Sequence, residues 1–247
     1  MKRIITSFLC WCAISLAFSQ NNEFSRFVKR IENNLLMQSP NDYYNLDSKE
    51  DIERLFFGDF NAMVEFSYLP SSENAFNKPP SGFRIVKNTS NTSYILEVKY
   101  ISNFEEAYKE ASKKYPSISV TNPSSISNHI IEHNREAFAK QSEERLKFFK
   151  IETLSFPISN QLAEKLYKRS VLFISNFKGI GDPPWIIDGY RVTFRNVVDY
   201  EVWSLNIHMP KGEALKMTEL FLQIVTDVKS NKMSESKYLS ILNALNN

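Results

Sequence analysis

The apolar residues of this chain keep two different periods, and the switching between them restricts the folds open to it. Across FNAMVEFSYL, residues Phe60, Ala62, Val64, Phe66 and Tyr68 recur at every second position, on one face of a strand. GFRIVK and TSYILEVKYI flank the polar turn Asn88 to Asn91 and read as a hairpin, as do YRVTFRN and YEVWSLNIH. A further strand is expected near 149–156. Elsewhere the spacing is helical. Phe24, Phe27, Val28, Ile31 and Leu35 predict a helix from about 22 to 37. Ser48 and Asp51 resemble a capping box, opening a short helix with Ile52, Leu55 and Phe56 inward.

NFEEAYKEASKKY is helical and stops before Pro116, and another helix follows from about 125 to 147. Leu162, Leu166, Phe173, Ile174 and Phe177 mark the inner side of a helix after Ser159. Leu220, Phe221, Ile224, Val225 and Val228 do the same after Gly212, and a short helix closes the chain around 235–245. Hairpins interleaved with helices imply an α+β domain: a mainly antiparallel sheet of about five to seven strands with helices packed against it. The Ser-, Asn- and Pro-rich stretch at 116–128 is either an internal boundary or a long surface loop. Residues 20–247 are otherwise expected to form a single domain.

Residues 1–19 read as a cleaved signal peptide. Lys2 and Arg3 precede a mostly apolar run from Ile4 to Phe18, and Ala17-Phe18-Ser19 is a small-x-small site ahead of Gln20. The expected compartment is therefore periplasmic or extracellular, with no transmembrane segment in the mature chain. Both cysteines, Cys10 and Cys12, fall in this leader. The mature chain then has no disulfide, thiol nucleophile or cysteine metal ligand, and must rest on an ordinary hydrophobic core. Loss of Lys2 and Arg3 leaves 28 of the 30 basic residues against 28 acidic ones. A neutral chain lacks the basic field that drives nucleic-acid binding.

NHIIEH, residues 128–133, holds two of the three histidines. Two imidazoles one helical turn apart are able to ligate Zn²⁺ while a neighbouring glutamate activates bound water. The pentapeptide His129 to His133 resembles the H-x-x-E-H motif of the inverzincins, the insulysin-like peptidases. That resemblance implies His129 and His133 as ligands and Glu132 as base. It extends no further: the flanks lack the family's glycines, and neither Glu201 nor Glu213 sits in a recognisable second motif. On a helical wheel Ile126, Ile130, Ala137 and Phe148 form an apolar stripe, extended by Ile131 and Phe138. His129, Glu132 and Glu136 fall on the opposite, solvated side with His133 at its margin, so no metal and no cofactor is expected.

GIGDPPWIIDGYR, residues 179–191, is the other unusual stretch. Pro183-Pro184 stiffens the loop and presents Trp185 at low entropic cost. Trp185, Asp188, Tyr190 and Arg191 would together suit a protein, peptide or glycan partner. No nucleophile elbow or phosphate loop occurs, and His208 lies in a strand. These features read as a binding or interaction module of the bacterial envelope. The alternative is an unrecognised hydrolase, either the zinc peptidase of the H-x-x-E-H type or one of another kind, such as a glycosidase whose two carboxylates need no fixed spacing in sequence. Export makes a direct prediction: intact-mass analysis of envelope or culture fractions should show a chain starting at Gln20, whereas a full-length chain in the membrane pellet would contradict it.

Overall fold

A computed structural model describes residues 26–32, 35–37, 51–59, 62–71, 78–87, 93–119, 127–178, 189–198 and 201–244. The strands are β1 (Arg26–Glu32), β2 (Leu35–Met37), β3 (Val64–Pro70), β4 (Ser81–Lys87), β5 (Tyr94–Ile101), β6 (Ile151–Ile158), β7 (Tyr190–Val198) and β8 (Glu201–His208). The helices are α1 (Asp51–Phe56), α2 (Phe104–Lys114), α3 (Asn128–Phe148), α4 (Asn160–Asn176), α5 (Gly212–Lys229) and α6 (Glu235–Ala244). All eight strands form one sheet in the order β2-β1-β8-β7-β3-β4-β5-β6. The six from β8 to β6 are antiparallel throughout, and β1 adds in parallel to β8. This is the expected α+β arrangement. β3 lies between β4 and β7, so strands from before and after residues 116–128 share the sheet.

The expected helix at 22–37 is overturned: β1 and β2 occupy that span as a strand pair. Phe27, Val28 and Ile31 are β-branched or aromatic, and the open edge of β8 supplies a ladder that outweighs their helical spacing.

Registers divide the sheet into two unlike faces. On one, Phe66 stands opposite Phe83 and Phe194, Phe83 opposite Val98, and Phe194 opposite Leu205. Helices α4, α5 and α6 cover this face with Leu162, Leu166, Phe173, Phe221, Ile224 and Tyr238, all buried. Phe221 is the hub: its ring centroid lies 5.0 Å from Phe83, 5.3 Å from Phe66 and 5.6 Å from Phe194. Fully burying one such side chain contributes about 1.5–3 kcal/mol. Ser159 caps α4 by accepting from the Leu162 N–H, and Asp227 ties α5 to α6 through the Tyr238 hydroxyl at 2.7 Å.

The other face is polar. Ser204, Arg195, Glu65, Arg84, Glu97 and Ser155 oppose one another in turn across six strands. Arg195 is only 3% exposed, donating to Glu65 Oε1 at 2.8 Å and to Glu53 Oε2 of α1 at 2.7 Å. Burial works against the guanidinium charge, yet the two carboxylates raise its pKa above the ordinary value. Lys99 donates to the Phe56 carbonyl at 2.7 Å, so α1 is also held at its C-terminal end. Phe57 then lies over the sheet with Arg84 and Lys99 near its ring, 5.4 and 5.5 Å from the centroid. Phe56, Phe57, Ile101 and Phe104 form a second, smaller core there.

Gly82 makes room for this packing. A Cβ at that position would meet the Phe66 carbonyl oxygen at 2.4 Å and the Phe57 ring at 3.2 Å. Gly82→Ala should therefore cost about 1–3 kcal/mol in urea unfolding, as overpacked cores do. Gly58→Ala, whose added Cβ would meet only the Arg54 carbonyl oxygen at 3.4 Å, should change stability by about 0.5 kcal/mol or less. Equal effects at the two glycines would contradict this packing.

Candidate functional site

A cleft of about 350 Å³ opens between α1 and the α2–α3 hairpin. Its apolar wall is Ile52, Leu146, Phe149 and the Tyr108 ring, and its polar rim is Asp51, Arg54, Ser142 and Arg145. Each wall has a physical cause. The smaller core seats α1 and α2, with Phe104 stacked on Phe149 at 5.6 Å and packed on Tyr108 at 4.6 Å. Asn103 fastens the base of the hairpin, donating to the Phe148 carbonyl at 2.9 Å and accepting from the Lys150 N–H at 2.7 Å. Glu144 of α3 accepts from Lys114 of α2 at 2.6 Å. That hydrogen bond, foremost, holds the Glu144 carboxyl below its usual range.

Arg145 gives the cleft its directional chemistry. Its guanidinium lies 4.0 Å from the Tyr108 ring centroid, and Nη2 donates to Ser142 Oγ at 2.8 Å. A guanidinium carries five N–H donors, so this geometry positions the group without using up its capacity. Burial raises the Tyr108 phenol pKa, and the Arg145 charge offsets part of the rise. Tyr108 thus stays neutral at ordinary pH and supplies an apolar ring face with a hydroxyl tip. Arg54 stands on the opposite rim, 3.8 Å from Asp51.

Of the sequence-derived candidates, Trp185 and Asp188 lie outside the described residues. Tyr190 packs its ring 5.2 Å from that of Tyr68, on the face covered by α4, α5 and α6. Burial, aided by Tyr190, pushes the Tyr68 phenol up to about 12. Arg191, the next residue in β7, points to the other face opposite His208. Tyr190 and Arg191 are thus neighbours in sequence on opposite sides of the sheet. The polar turn Asn88 to Asn91 also lies outside the described residues.

The NHIIEH segment opens α3. His129 and Glu132 are exposed, and the His133 ring faces a backbone carbonyl, with Nε2 3.2 Å from the Pro116 oxygen. The next residue completes a clamp: Asn134 accepts from the Ile118 N–H at 2.7 Å and donates to its carbonyl at 3.0 Å. Gln141 holds the Tyr115 carbonyl at 2.6 Å. This side of α3 pins the segment leaving α2. Among the described residues no three His, Cys, Asp or Glu side chains come together as a metal group.

Sequence reasoning misses Arg54, Tyr108 and Arg145 because they meet only through the fold. The apolar extension at Ile131 and Phe138 is a usable signal, since both are exposed rather than inward. No protein family, no curated protein and no solved structure matches the chain. The clamp makes a prediction about metal: untagged protein should contain far less than one zinc per chain, and His133→Ala should cost about 1 kcal/mol or less, as the loss of one exposed hydrogen bond does. One zinc per chain, lost in His133→Ala, would restore the peptidase reading.

Proposed function

We propose that this chain is an exported binding module of the cell envelope, periplasmic or extracellular, and that it takes its ligand in the cleft between α1 and the α2–α3 hairpin. Residues 1–19 support the compartment. The observation that carries the binding reading is Arg145, stacked on Tyr108 in a concavity of mixed polar and apolar lining. Its volume falls in the range of ligand sites, about 300–1,000 Å³, and such sites use a few placed polar groups to orient what they hold. A guanidinium held by stacking recognises carboxylates and related anions in a fixed direction. A ligand with an apolar body and an anionic end matches both parts.

Phenylacetate is the minimal probe. Thermal unfolding should shift upward with the logarithm of its concentration above the dissociation constant, by about 2.7 kcal/mol of stabilisation at a hundredfold excess over that constant. Arg145→Gln should abolish the shift, and neutral 2-phenylethanol should produce none. An equal response to both compounds, or one indifferent to Arg145, would refute the assignment of the cleft.

A further inference from the structure

Helix α3 is lightly packed for its length. It runs 21 residues but buries only Ala137 and Gln141, whereas α5 in 18 residues buries ten. Helices in proteins draw most of their stability from packing an apolar face, so a long helix with so little covered has a face to spare. The two large apolar residues of its outer flank are left in water: Ile131 is 54% and Phe138 55% exposed, the two highest values among the exposed large hydrophobics described. They are seven residues apart, and Arg145 is seven further on. Positions at that spacing drift by only about 20° around a helix and are about 10.5 Å apart along it. Ile131, Phe138 and Arg145 therefore form one seam, and Arg145 is where it enters the cleft.

We propose that this seam is the docking surface for an acidic amphipathic helix of a partner polypeptide. Resting on the reading of the cleft as a binding site, the inference names its occupant: apolar anchors lie on Ile131 and Phe138, and a carboxylate side chain enters the cleft at Arg145 and Arg54. Heptad-spaced anchors are how an amphipathic helix is read by a groove. Charge selects the partner. Arg135 is exposed and lies four residues after Ile131 and three before Phe138, which places it beside both anchors. Arg145 and Arg54 stand at the seam's end. The acidic residues Glu132, Glu136 and Glu143 are turned about 100° or more around the helix from Ile131. Along α3 the charged residues nearest the seam are therefore Arg135 and Arg145, and at its end the two arginines outnumber the one carboxylate, Asp51, which lies 3.8 Å from Arg54. A second copy of the chain, antiparallel about Phe138, would set Arg145 of one copy level with Ile131 of the other, about one turn from its Arg135. Like charges would meet there. An acidic helix meets the same border with attraction. A bilayer is the poorer match, because a concave cleft accepts a side chain and a flat lipid surface fills none of it.

The test uses the full mature chain and fluorescein-labelled synthetic peptides held helical by a side-chain lactam. Each carries two leucines seven residues apart and a glutamate seven residues beyond, in both chain orders. A matched set has lysine for glutamate. Fluorescence anisotropy should show saturable binding of a glutamate peptide, at least tenfold tighter than its lysine counterpart. Ile131→Ser and Phe138→Ser, both at exposed positions, should each weaken it at least fivefold, and Arg145→Gln should erase the preference for glutamate. Circular dichroism melts of the serine variants should match the parent. If phenylacetate seats in the cleft but the peptides ignore Ile131 and Phe138, the docking proposal falls and the cleft reading stands. If neither probe binds, both fall. Self-association in sedimentation equilibrium, or adsorption to phosphatidylglycerol vesicles tighter than to the peptides, either one lost in Phe138→Ser, would also overturn the acidic helix as occupant.

Discussion

One buried guanidinium organises the polar side of this protein. Arg195 stands in the middle of the sheet with Glu65 beside it on β3 and Glu53 above it on α1. Charges so completely removed from water are tolerated only when paired with good geometry, because desolvation costs several kcal/mol per ion. The strand pairing fixes Glu65 opposite Arg195, and so the sheet itself supplies half of the arrangement. The other half must come from α1. That requirement brings a six-residue helix, far too short to persist alone, down onto the sheet and brings Phe56 and Phe57 with it.

The cleft follows from this seating. Asp51, Ile52 and Arg54 lie on the same helix that delivers Glu53, so their position is a consequence of the ionic contact beneath them. The opposite wall depends on the hairpin, anchored at its base by Asn103 and along its length by Lys114 and Glu144. Between these supports the residues that α3 buries are small or polar, and its outer flank is left to solvent. The proposed binding cleft thus sits where packing is thin, while the aromatic hub around Phe221 lies on the far face of the sheet. On the proposed reading, a ligand at the rim would leave the main core undisturbed. No helix among the described residues is long and apolar enough to cross a membrane.

Much of the sheet is legible from period-two alternation. The hairpins β4–β5 and β7–β8 fall where the pattern puts them, and Phe66 and Phe194 share a face as alternation requires. The segment at 22–37 misleads because Phe27, Val28 and Ile31 satisfy helical spacing equally well, and only the edge of β8 decides between the two. The α3 wheel holds in part. Ala137 turns inward as expected and His129 and Glu132 outward, but Ile131 and Phe138 do not extend the buried stripe. The inner side is chosen by close approach to α2, which buries its own small residues Ala107 and Ala111, and by the side-chain clamp on the segment that follows. Hydrophobicity alone does not encode that choice. Arg195 and the two glutamates are not legible as a group: Arg195 lies 130 residues from Glu65 and 142 from Glu53, and charged residues at inward positions look the same on paper as solvated ones.

A double-mutant cycle between Glu53→Gln and Arg195→Met tests most directly whether this contact seats α1. Each single substitution leaves a buried charge with a partner removed and should destabilise urea unfolding by about 3–5 kcal/mol. The double variant should cost clearly less than the two together, by at least about 1.5 kcal/mol, as residues in one ionic network do. Additive single effects within about 0.5 kcal/mol would mean that Glu53 and Arg195 do not act on each other, and that α1 is held in place by something else.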